Sequence, residues 1–129
     1  MKTISILIVE DEIIVASDMQ DCLEGMRYRV SAIVDSGQSA VEQVGKDVPD
    51  LIIMDVGLRG EIDGIETARR IQDITDAPVI FVTAYSNREA VNRNARAGDG
   101  YLVKPFDDRK VREAIETALK PNPENKANL

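Results

Sequence analysis

The chain has 129 residues, 43% of them hydrophobic, with a formal net charge of -7 and a pI near 4.6. That length fits one domain around a single core, and a second folded domain is not expected. The acidic balance, with no basic cluster longer than Arg69-Arg70, argues against nucleic acid as a direct ligand, because backbone phosphates need a Lys/Arg face.

Ile4 to Val9 is a run of β-branched residues and leucine with Ser5 as its one exception, the pattern of a strand covered on both faces, and it breaks at Glu10-Asp11-Glu12. From Glu12 to Met26 the residues Ala16, Met19, Leu23 and Met26 recur at helical spacing. Arg29 to Val34 predicts a second strand, and Ser36-Gly37 turns into a helix from about Ser39 to Lys46. After Pro49-Asp50, Leu51 to Met54 is a third strand running into Asp55. Gly57 to Glu61 reads as a loop, and Asp63-Gly64 precedes a helix through Ile65, Ala68 and Ile71. Pro78 to Val82 is a fourth strand ending at Thr83-Ala84. Asn87 to Ala97 has helical spacing but little apolar bulk, which predicts a weakly anchored fourth helix closed by Gly98 and Gly100. Tyr101 to Val103 gives a fifth strand, and Val111, Ala114, Ile115 and Ala118 mark a last amphipathic helix.

Strands alternating with helices predict an α/β fold with a parallel sheet and right-handed crossovers, a three-layer doubly wound sandwich. Residues 1-120 are expected to form this domain and 121-129 a flexible polar tail. No apolar stretch approaches the ~20 residues of a membrane span, and no signal-peptide pattern precedes the first strand, so a cytoplasmic setting is expected. Histidine is absent, which excludes His-based general bases, His metal ligands and a phosphohistidine carried by this chain. The single Cys22 sits mid-helix without a nearby base and is assigned no function.

The carboxyl ends of parallel strands open on one crevice in such a sheet. Glu10 and Asp11, Asp55, Thr83 and Lys104 stand where the first, third, fourth and fifth apolar runs stop, so the topology gathers them. Three carboxylates in one cleft repel, and a hard divalent cation with oxygen ligands removes that repulsion; Mg²⁺ is predicted, with Mn²⁺ able to replace it. Asp55, at the end of the central run, is the candidate nucleophile toward a phosphoryl group, giving an acyl phosphate. Lys104 is suited to neutralise the equatorial phosphoryl oxygens and Thr83 to donate a hydrogen bond to one of them. Taken singly, each has a structural alternative: Asp11 suits the N-cap of the first helix, Thr83 a strand end, and Lys104 a solvated charge. Their coincidence at one edge favours chemistry.

Together, ILIVEDE at 6 to 12, DLIIMD at 50 to 55, VTA at 82 to 84 and GYLVKPF at 100 to 106 closely resemble the receiver domain of two-component response regulators. The resemblance spans residues 3 to 119 and implies a flavodoxin-like α/β/α sandwich with a five-stranded parallel sheet of order 2-1-3-4-5. It implies Asp55 as phosphoacceptor, Glu10 and Asp11 as an acidic metal pair, and the backbone carbonyl of Gly57 as a further metal ligand. It also implies Lys104 as the phosphate-contacting lysine, Thr83 and Tyr101 as a switch pair, and a cis-proline at Pro105.

The implied function is a phosphorylation-dependent switch whose enzymatic activity is self-directed. A sensor histidine kinase or phosphotransfer protein donates to Asp55 in a Mg²⁺-dependent reaction, and hydrolysis follows more slowly. The face of the fourth helix, fifth strand and last helix then changes its preference for a downstream effector protein, as a monomer or a phosphorylation-dependent dimer. The competing expectation is a receiver-fold interaction module that binds its partner without phosphorylation. The chain departs from the commonest receiver pattern in three ways. It has Glu10 where a second aspartate is also common, no side chain at Gly57, and a loop from Gly57 to Asp63 that lacks proline and is one residue longer.

Overall fold

The apolar runs become the strands of one parallel sheet, and the amphipathic stretches between them become its covering helices. The computed structural model describes residues 3–96 and 99–120; the expected tail at 121–129 and the expected helix end at Ala97 and Gly98 lie outside the described residues. In chain order the elements are β1 (Ser5–Val9), α1 (Ile13–Gly25), β2 (Arg29–Val34), α2 (Gly37–Lys46), β3 (Leu51–Asp55) and α3 (Gly64–Gln72). They continue with β4 (Val79–Thr83), a 3-10 turn (Tyr85–Asn87) leading into α4 (Arg88–Asn94), β5 (Gly100–Val103) and α5 (Asp108–Leu119). The sheet has the order β2-β1-β3-β4-β5 with every neighbouring pair parallel. This is the flavodoxin-like arrangement that the resemblance implies.

Side chains alternate across a strand, so a continuously apolar strand feeds two cores at once. Ile6, Ile8, Ile53, Ile80 and Val82 point to one face and pack with Ala16, Met19 and Leu23 of α1 and Val111 and Ile115 of α5. Leu7, Val9, Ile52, Met54, Val79 and Phe81 point to the other and pack with Ala40, Val44, Ala68, Ile71 and Val91 of α2, α3 and α4. A fully buried branched side chain of this kind stabilises the fold by about 1.5–3 kcal/mol. β1, β3 and β4 are buried at every position, whereas β5 is half exposed. The starts of α2, α3 and α5 are fixed by side-chain caps: Ser36 accepts from the Ser39 N–H, Asp63 from the Glu66 N–H and Asp107 from the Lys110 N–H.

The link from β3 to α3 is held down from both sides. Leu58 and Ile62 are buried, and Gly60, at φ +122°, supplies the turn between them that a side chain would strain.

Candidate functional site

Strand register assembles the site. Val9 lies opposite Met54, which brings Glu10, one residue on, beside Asp55; Asp55 lies opposite Val82, with Thr83 next, and Thr83 lies opposite Val103, with Lys104 next. The Lys104 N–H donates to the Thr83 carbonyl at 2.9 Å, so the edge is pinned as far as the lysine.

One carboxylate oxygen from each of Glu10, Asp11 and Asp55 lies within 4.8 Å of the others. Glu10 and Asp55 are buried and Asp11 is half-buried. Asp11 does not cap α1: the N-cap position is Glu12, without a side-chain cap bond, and the Asp11 carboxylate faces the site instead. Each carboxylate is held by a backbone donor. The Glu12 N–H donates to Glu10 Oε1 at 3.1 Å, the Gly57 N–H to Asp55 Oδ1 at 3.1 Å, and the Arg59 N–H to Asp11 Oδ2 at 3.1 Å. Two cations flank the group, with Lys104 Nζ 3.7 Å from Asp55 Oδ1 and Arg59 Nε 3.3 Å from Asp11 Oδ2.

The group remains short of positive charge at Glu10. Loss of hydration on burial, and then the neighbouring Asp55 and Asp11 carboxylates, push its carboxyl up to about 7 from 4.5, against the opposing pull of the Glu12 N–H and Lys104. A crowded set of oxygen donors, in which Glu10 resists ionisation, fits a hard divalent cation, for which Glu10, Asp11 and Asp55 are the side-chain ligands available among the described residues.

Thr83 is 1% exposed and its Oγ1 donates to the Ala84 carbonyl at 3.0 Å. Tyr101 is 40% exposed on β5, away from the carboxylates, and the Lys104–Pro105 peptide bond is cis. At Gly57 an added Cβ would meet only Asp55 Oδ1, at 3.7 Å, so the glycine puts no side chain against that oxygen. Cys22 lies outside this site: its Sγ donates to Asp108 Oδ1 at 3.3 Å across α1 and α5, and burial, followed by Asp108, pushes the thiol up to about 11. Two features carry no sequence signal. Arg59 is an ordinary loop arginine until the loop path brings it to Asp11, and Ile13 and Ile14, 85% and 77% exposed beside the acids, occupy positions that a helical pattern does not single out.

The model of the response regulator receiver domain matches residues 6–116. The chain belongs to the response regulator receiver family. This receiver domain is 39% identical over 115 residues to the transcriptional regulatory protein PdtaR of Mycobacterium tuberculosis, covering 88% of the chain and 56% of that protein. It is 39% identical over 118 residues to the transcriptional regulatory protein ZraR of Escherichia coli, covering 90% of the chain and 26% of that protein. The chain therefore spans about half, or about a quarter, of the length of these curated relatives.

Among solved structures, the signal receiver domain of a modulated diguanylate cyclase from Desulfovibrio desulfuricans superposes with a TM-score of 0.82 at 34% identity, over 92% of this chain and 94% of that one. The receiver domain of the sensor histidine kinase PA1611 from Pseudomonas aeruginosa superposes with a TM-score of 0.77 at 27% identity, over 89% and 96%. That structure holds a magnesium ion coordinated in its active site cleft. No helix among the described residues of the receiver domain is long and apolar enough to cross a membrane.

Proposed function

We propose that this receiver domain is a phosphorylation-dependent signalling switch in which Asp55 accepts a phosphoryl group from a phosphohistidine of a cytoplasmic sensor kinase or phosphotransfer protein. The observation that supports this most is the double membership of Asp55, whose carboxylate belongs to the acidic group and also faces Lys104 at 3.7 Å. An Asp55 oxygen attacks phosphorus as the phosphorus–nitrogen bond to the imidazole breaks; the product is an aspartyl phosphate, and the electron pair leaves with the imidazole. Lys104 neutralises charge on the phosphoryl oxygens as a mobile point charge. Thr83, whose hydroxyl is occupied only by the neighbouring Ala84 carbonyl, turns to a phosphoryl oxygen, and Tyr101 follows inward from its exposed position. Glu10, Asp11, Asp55 and the Gly57 carbonyl would hold Mg²⁺, or Mn²⁺ in its place. The ion supplies charge neutralisation for the transferred group.

The exposed Ile13 and Ile14 stand at the rim of the acidic edge, and Ile13 lines the same groove of about 590 Å³ as Glu10 and Asp11. A protein donor that reaches Asp55 covers this rim, whereas a small-molecule donor does not. The net charge of -7 supports a reading in which any nucleic-acid contact belongs to a partner or to another part of a longer protein.

The test is intact-protein mass after incubation with acetyl phosphate and Mg²⁺. A gain of ~80 Da that requires both the metal and Asp55, and is lost in Asp55→Asn, is the expected result for acyl phosphate formation. No gain, together with no binding of beryllofluoride, would replace this reading with a phosphorylation-independent interaction module.

A further inference from the structure

Resting on the metal reading above, we infer that Arg59 is a tethered counter-ion of Asp11 that sets the divalent-cation affinity of the site. Asp11 Oδ2 meets this one residue twice, accepting a hydrogen bond from its backbone N–H at 3.1 Å and forming an ion pair with its guanidinium Nε at 3.3 Å. The two contacts have different consequences. The backbone donor sits in a loop pinned by the buried Leu58 and Ile62, so it holds the Asp11 carboxylate in place whatever residue stands at 59. The guanidinium, on a side chain 82% exposed, is free to leave.

A cation arriving between Glu10, Asp11 and Asp55 competes with the guanidinium for the Asp11 carboxylate and also meets its charge at close range. Both effects oppose binding, and neither requires the loop backbone to move. Lys104 stands beside Asp55, on the side where the phosphoryl group is received, so removing Arg59 alters the charge next to Asp11 while leaving the Lys104 contact intact. Arg59 is thus a positioning residue with one invariant contact and one releasable contact. An exposed ion pair is weak, so the restraint it imposes on the metal is modest, about two- to fivefold in affinity.

The experiment measures Mn²⁺ binding to the full 129-residue chain by the electron paramagnetic resonance signal of the free ion. Arg59→Ala is expected to bind Mn²⁺ about two- to fivefold more tightly than the parent. Arg59→Lys, which restores a cation without the planar fork, should return the affinity toward the parent value. Arg70→Ala, which removes an exposed arginine paired with Glu66 on α3, controls for net charge and should leave the affinity unchanged. Equal or weaker binding by Arg59→Ala in a parent that does bind Mn²⁺, or equal tightening by Arg70→Ala, overturns the role of Arg59 while leaving the metal site standing. A parent that binds no Mn²⁺, or binds it equally well as Asp55→Asn, overturns the metal reading and this inference with it.

Discussion

Glu10 is 6% exposed, and ionising it adds a third negative charge to a group already containing Asp11 and Asp55. Its carboxyl, raised to about 7, binds a proton more tightly in the folded than in the unfolded chain. Without metal, the stability that this one group contributes is therefore fully present below the unfolded value of about 4.5 and is lost as pH rises through about 7, by on the order of 2–3 kcal/mol. Chemical denaturation at a series of pH values should show this slope in the parent and a loss of it in Glu10→Gln. Mg²⁺ reverses the trend, because only the ionised carboxylate is a ligand; affinity should rise with pH up to about 7 and then level. The acids and Lys104 were legible in the sequence because each ends an apolar run, and strand ends on one sheet edge must meet. Arg59 was not legible, since its partner is 48 residues away in sequence and is reached only through the path that Leu58 and Ile62 impose on the loop.

At α3 the helix start and the phosphoacceptor strand come within touching distance. A Cβ added to Gly64 would run into the Asp55 carbonyl oxygen and lie 2.8 Å from Val56 Cα, which are backbone atoms of the strand end and cannot rotate away. Gly64→Ala is expected to destabilise the fold by about 1–3 kcal/mol and to slow phosphorylation from acetyl phosphate, because relief of the clash displaces Asp55. Thermal denaturation and the mass assay check the two effects separately. Helix and strand identity was readable from periodicity throughout, while boundaries shifted where backbone bonds outran the apolar pattern. β3 continues through Asp55 and β4 through Thr83, since both polar residues still pair in the ladder. α2 begins at Gly37 because Ser36 caps it, two residues before the expected start at Ser39. The expected weakness of the fourth helix has a physical counterpart: α4 spans seven residues, with Val91 as its buried anchor.

Across the sheet, order and direction follow from alternation alone as far as a parallel α/β sandwich, whereas the 2-1-3-4-5 order came from the resemblance and is the order observed. Periodicity could not supply it, because the first, third and fourth runs are each apolar enough to occupy the centre. Burial distinguishes them only after folding: β1, β3 and β4 are closed on both faces, and β5 is open with Tyr101 on its surface. Amide hydrogen exchange should rank the same way, with β3 protected at or near the global unfolding free energy and β5 and α4 exchanging through smaller openings. Uniform protection across all five strands would contradict this ranking. Both margins of the graded sheet, β2 and β5, are open to solvent, while the central strands keep the carboxylates in register. Openings of β5 smaller than global unfolding would let a partner sample that margin without waiting for the phosphoacceptor strand to come apart.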